Sequence, residues 1–115
     1  RFGIKPLYYS IVNDNLIFGS EIKFVSSFMK DLYPNEQRIY DYLRFNYIDH
    51  TNETLFKDIL QLEPNSYLLY SIEGIKTVEY WDMKEENISK NEIEKKLNDA
   101  IKLRMRSDVE VGSLL

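Results

Sequence analysis

Arg1–Glu21 reads R-F-G-I-K-P-L-Y-Y-S-I-V-N-D-N-L-I-F-G-S-E, and the remainder of the chain is arranged around this stretch. Pro6 fixes its own φ and restricts Lys5 to extended geometry, while Gly3 allows a tight approach of backbone. Leu7, Tyr9 and Ile11 alternate with Tyr8, Ser10 and Val12, the period of a β-strand. Asn13-Asp14-Asn15 is a turn cluster whose side chains tolerate left-handed backbone, and Leu16-Ile17-Phe18 starts the returning strand. Gly19-Ser20-Glu21 then leads into Ile22, Phe24, Val25 and Phe28, an apolar helical pattern that Lys30–Pro34 closes.

Asn35 is placed to cap a second helix, with Glu36 favourable near its positive end. The spacing puts Ile39, Leu43 and Tyr47 on one apolar face. Asp49–Asn52 is a polar loop carrying His50, the sole histidine; without a visible partner it reads as a solvated loop residue rather than a catalytic base. In Glu53–Asn65, the residues Leu55, Phe56, Ile59, Leu60 and Leu62 suit a short helix or 3₁₀ turn, ended by Pro64-Asn65. Ser66–Ile72 and Ile75–Trp81 flank Glu73-Gly74 and predict a second hairpin, with Trp81 an anchor at its end rather than a stacking platform.

From Asp82 to Asn91 the chain turns acidic and polar, as a linker does. Ser89-Lys90-Asn91-Glu92 is a capping box, with Ile88 and Ile93 at the staple positions, so a helix begins there. Ile93, Leu97, Ala100 and Ile101 form its apolar face. Its lysines and arginines are interleaved with Glu92, Glu94 and Asp99 and read as a solvated surface.

Composition bounds the function. The 115 residues make one small domain's worth of chain, with 43% hydrophobic and 30% charged residues. A net charge of −4 provides no basic footprint for nucleic acid, and no apolar run is long enough to span a membrane. There is no cysteine, hence no disulfide framework and no thiol nucleophile. No signal peptide is visible, so the cytoplasm is the expected location and the sequons at Asn52 and Asn87 read as coincidence. The chain opens without Met, inside a structured motif, and is read as a segment of a longer protein.

Three separated motifs carry a resemblance to the glutamine-hydrolysing asparagine synthetases. R-F-G-I-K-P-L-Y-Y with G-S-E-I-K resembles the G-I-[KR]-P-L-Y-Y and A-S-E-[IM]-K-A-L elements of class II glutamine amidotransferase domains. Gly19 stands where Ala is usual, and Phe24-Val25 where Ala-Leu is usual. E-T-L-F-K-D-I-L-Q-L-E-P-N resembles E-T-L-F-x-x-I-x-x-L-x-P-G, with Asn65 for Gly. Ser107–Leu115 resembles S-D-V-P-V-G-x-x-L, with Glu110 for Pro.

The resemblance implies an α+β fold: part of an N-terminal-nucleophile αββα sandwich over residues 1–84, containing two β-hairpins and helices. Residues 85–115 would then supply a linker, a helix and the first strand of an ATP pyrophosphatase-type synthetase domain. In the parent enzyme an N-terminal Cys hydrolyses glutamine, and ammonia passes internally to a site where ATP, with Mg2+, activates aspartate as an acyl-adenylate. Catalytic residues and metal ligands are expected elsewhere than in these residues, which by themselves should be inactive and bind no cofactor. Leu115, just before the expected pyrophosphate loop, is the one position mapped to ATP, through its backbone. Glu21 is expected to hold a structural position, or to shape the ammonia passage. A homodimer is compatible with this reading. Two alternatives stand beside it: a relative amidating or cyclising another carboxylate, as β-lactam synthetases and tailoring enzymes do, and a non-catalytic interaction module.

Overall fold

The computed structural model describes residues 1–112. They divide into two compact units, Arg1–Asp82 and a second beginning at Met83. In the first unit, β1 (Tyr8–Val12) and β2 (Asn15–Gly19) form the expected antiparallel hairpin. Its turn is tighter than the three-residue cluster suggests, because Asn15 already pairs with Val12. Asn13 and Asp14 make the connection at φ 50° and 59°, the paired left-handed geometry that matches strand twist.

Helix α1 (Ile22–Ser26) follows at once and packs on both strands of the hairpin, burying Val25 completely. Glu21 precedes it in extended geometry, with no side-chain capping bond. Helix α2 (Glu36–Phe45) begins at Asn35, whose side chain accepts from Arg38 N, and ends at left-handed Asn46. The expected apolar face is not its buried one. Leu43 is 76% exposed, Tyr47 lies beyond the helix, and the buried residue is Asp41.

The next stretch overturns the helical expectation for Leu55–Leu62. Glu53 bridges Leu60, Pro34 bridges Phe56, and the chain reverses at Asp58 (φ 64°) into β3 (Leu60–Gln61). Thr54 explains why extended pairing wins over a helix. Its buried hydroxyl lies 2.8 Å from the Ile59 carbonyl, 3.0 Å from that of Phe56 and 3.2 Å from Phe56 N. Backbone partners come from outside the stretch as well: Asn35 N donates to Leu55 O, and Lys57 N to Tyr33 O. β3 adds to the free edge of β1, giving the order β2-β1-β3. As the middle strand, β1 is covered on both faces, and both Tyr9 and Ser10 are buried.

β4 (Ser66–Ser71) and β5 (Gly74–Glu79) form the second hairpin and a separate two-stranded sheet. Its turn is Ile72-Glu73, one residue earlier than expected, because Gly74 (φ 108°) already pairs with Ser71. Left-handed Asn65 (φ 56°) opens the hairpin as expected, and its side-chain amide donates to Trp81 O at 2.7 Å. The Tyr70 hydroxyl donates to the Asp14 carbonyl and ties the second hairpin to the turn of the first. The core proper is Val25, Ile59 and Tyr9.

In the second unit, helix α3 (Lys90–Arg104) starts at Ser89 with the complete capping box: Ser89 Oγ accepts from Glu92 N, and Ser89 N donates to Glu92 Oε2 at 2.8 Å. Ile93, Leu97 and Ile101 are exposed. The expected strand is missing over Ser107–Gly112, which have no strand pairing among the described residues. A lone extended segment has no ladder to join there. The remainder of that expected strand, Leu115 included, lies outside the described residues.

Candidate functional site

The polar centre of the first unit lies where α2 meets the loop that follows it. Arg38 and Asp41 occupy one helix face at i, i+3, and their side chains are only 14% and 12% exposed. Arg38 Nη2 sits 3.0 Å from Asp41 Oδ2, and Gln37 Nε2 donates to Asp41 Oδ1 at 2.9 Å. Left-handed Asn46 turns the chain back, so that His50 and Thr51 return to the same guanidinium. Arg38 Nη1 is 2.9 Å from His50 Nε2 and donates to Thr51 Oγ1 at 3.1 Å. Glu53 Oε2 lies 3.3 Å from Arg38 Nε, close enough for charge attraction but off the line of a hydrogen bond. One cation thus faces two carboxylates, which keeps a largely buried charge paired.

His50 is therefore more than a solvated loop residue. Its Nε2 also lies 3.1 Å from Asp41 Oδ2, and its ring is 5.3 Å from that of Tyr47. Arg38 and Asp41 were not singled out by the sequence reading. The signal was present in their spacing on α2, but it was outweighed by the aromatic residues around them.

Beside this cluster is a cleft of about 520 Å³. The loop residues Asp49–Asn52 form part of its lining, with Phe2, Gly3, the segment from Gln61 to Asn65, and Glu79. Its charged groups are the carboxylates of Asp49, Glu63 and Glu79. A second, apolar groove of about 310 Å³ runs between the first sheet and the second hairpin, lined by Leu7, Tyr9, Phe18, Leu62 and Tyr67 among others. Burial raises the Tyr9 phenol above its ordinary value; a hydrogen bond with Thr77 works against that, and the charge of Glu63 adds to it.

The remaining expected positions resolve differently. Glu21 is exposed and ion-paired with Lys23 at 2.8 Å. The pair lifts the Lys23 ammonium above its usual range, the hydrogen bond contributing most. Trp81 is half-buried at the end of the second hairpin, edge-on to Phe2 at 5.1 Å, with the Arg1 guanidinium 5.6 Å over its ring. Leu115 lies outside the described residues. Among the described residues no group of three His, Asp or Glu side chains is placed to hold a metal ion. Among the described residues no helix is long and apolar enough to cross a membrane.

Two antiparallel sheets interleaved with helices, entered through the Gly3–Pro6 corner, define the class. The chain belongs to the glutamine amidotransferase domain family, whose model matches residues 1–81. It is 32% identical over 121 residues to asparagine synthetase [glutamine-hydrolyzing] 1 of Bacillus subtilis (strain 168), covering 99% of this chain and 19% of that protein. It is 31% identical over 134 residues to amidase chyE of Penicillium rubens, covering 100% of this chain and 18% of that protein. Asparagine synthetase [glutamine-hydrolyzing] 2 of Bacillus subtilis is 30% identical over 139 residues, with 100% and 18% covered. The chain spans about a fifth of the length of these relatives. No solved structure matches it.

Proposed function

We propose that this chain is a scaffolding part of a glutamine-dependent asparagine synthetase of the cytoplasm. In this reading, residues 1–84 are the latter half of the amidotransferase domain, and residues 85–115 lead into the synthetase domain. The observation that carries it is a difference in extent. The family match ends at residue 81, while the matches to the synthetases run on over 99% or more of the chain. The compact unit ending at Asp82 supports the same division.

The parent reaction would use glutamine, aspartate and ATP, with ATP and Mg2+ held by residues other than 1–112. These residues contribute no cysteine, and among the described ones no group of three His, Asp or Glu side chains is placed to hold a metal ion. Their work is to hold sheet and cleft in place. Leu115 remains the position proposed to approach ATP through its backbone, and a homodimer is compatible with the assembly.

The test is to assay the complete protein containing this segment for glutamine-dependent amidation of aspartate with release of AMP, and to assay the 115 residues alone. Activity in the complete protein and none in the segment is the expected pair of results. Glutamine hydrolysis by the segment would overturn the reading. Similarity to an amidase supports a second reading, in which the parent amidates or cyclises a carboxylate other than that of aspartate. Glutamine- and ATP-dependent turnover that is indifferent to aspartate would favour it.

A further inference from the structure

The loop between α2 and Asn52 is held in an unusual way. Ile48, Asp49, His50 and Thr51 are all exposed, and none of them makes a backbone–backbone hydrogen bond among the described residues. Neither apolar burial nor a backbone ladder fixes them. Their two ends are fixed. Tyr47 N donates to Asp41 O at 3.4 Å, and Asn52 O accepts from Gln61 N at 2.7 Å. Between those points, the polar ties to the rest of the unit come from His50 and Thr51: both meet α2, and Thr51 Oγ1 also accepts from Glu53 N at 3.2 Å. Arg38 Nη1 meets His50 Nε2 at 2.9 Å and Thr51 Oγ1 at 3.1 Å, and His50 also touches Asp41. The guanidinium is itself anchored by Asp41 and Glu53. The planar fork of one arginine can serve several acceptors at once, which a lysine cannot do in the same geometry.

Asp49, His50 and Thr51 form one wall of the 520 Å³ cleft. We propose that Ile48–Thr51 is a strap latched to α2 by Arg38, which comes free as one piece when the latch is broken and thereby opens one wall of the cleft. Left-handed Asn46 and the Asn52–Gln61 bond mark its ends. The helix and both sheets stay in place when it opens, because their backbone hydrogen bonds do not involve the strap. The inference rests on this geometry and not on the reaction proposed above.

Backbone amide order parameters from ¹⁵N relaxation of the 115-residue chain test it, with Arg38→Met and the double variant His50→Ala/Thr51→Val. In the unaltered chain the strap amides should be as ordered as those of α2, near ~0.85. In both variants they should fall below ~0.6, with α2 and the β1–β2 hairpin unchanged. Chymotryptic cleavage after Tyr47 should quicken by roughly 10-fold. The double variant keeps the Arg38–Asp41–Glu53 pairs, so it decides the matter if Arg38→Met fails to fold. A strap already disordered in the unaltered chain would overturn the proposal. So would a strap that stays ordered in the double variant, or loss of order in α2 and the hairpin along with it.

Discussion

Gly19 and Phe24 are best understood together. A Cβ placed on Gly19 would stand 2.7 Å from Phe24 Cδ1, closer than any carbon contact tolerates. The related pattern A-S-E-[IM]-K-A-L has a small residue at both positions. Here a large ring at one is matched by loss of a methyl at the other. Gly19→Ala should therefore cost about 1–3 kcal/mol in chemical denaturation, and at least ~1 kcal/mol less when Phe24→Ala is also present. Equal costs in the two backgrounds would show the residues to be independent. Ser10 offers the opposite case. Its hydroxyl is buried with no partner among the described residues, so Ser10→Ala should be neutral or stabilising by up to ~1 kcal/mol. Tyr9 gives a sign for pH. Its folded-state pKa is raised, so its contribution to stability is complete below pH ~10 and lost as pH rises through the folded value. Unfolding curves recorded between pH 9 and 11 should show that loss in the parent chain and not in Tyr9→Phe.

The elements that were legible in the sequence are those whose cause is local. The first hairpin follows from strict alternation and two residues that accept left-handed backbone, and the start of α3 follows from four consecutive residues of a capping box. Glu53–Leu62 was illegible for the converse reason. Its apolar residues have no clean period, and its partners, Pro34 and the edge of β1, are far away in sequence. Ile59 is the side chain this folded-back loop buries completely, and Ile59→Ala should cost about 2–5 kcal/mol by urea titration. The cluster around Arg38 escaped notice because an arginine and an aspartate on a helix normally signal a solvated face. The left-handed Asn46 that returns His50 to them is visible only in three dimensions. In α3, hydrogen bonds from Ser89, the backbone one first, hold the Glu92 carboxyl below its ordinary value. The stabilising effect is present above pH ~4.5 and disappears as pH falls through the lowered value. Far-ultraviolet circular dichroism should follow that loss in the parent chain, and Glu92→Ala should flatten the profile.

Taken whole, the first unit keeps little apolar surface to itself. Val25, Ile59 and Tyr9 are its buried hydrophobic residues, while Phe18, Phe24, Leu43, Phe45 and Leu69 are each about half exposed or more. Exposed rings and aliphatic side chains of this kind are what an apolar probe binds. The 115-residue chain should enhance the fluorescence of an apolar dye. Fluorescence that does not change on adding the chain would contradict this. The order of strands in the first sheet has a further consequence, for synthesis. β1 lies between β2, its immediate neighbour in sequence, and β3, which comes only at Leu60. On a ribosome, β1 and β2 can join as soon as both have emerged, but the other side of β1 stays bare until α1, α2 and the loop beyond them have been translated. During that interval a nascent chain displays an unmatched row of amides and carbonyls beside Tyr8 and Tyr9, the place where a neighbouring polypeptide could most readily be captured in error.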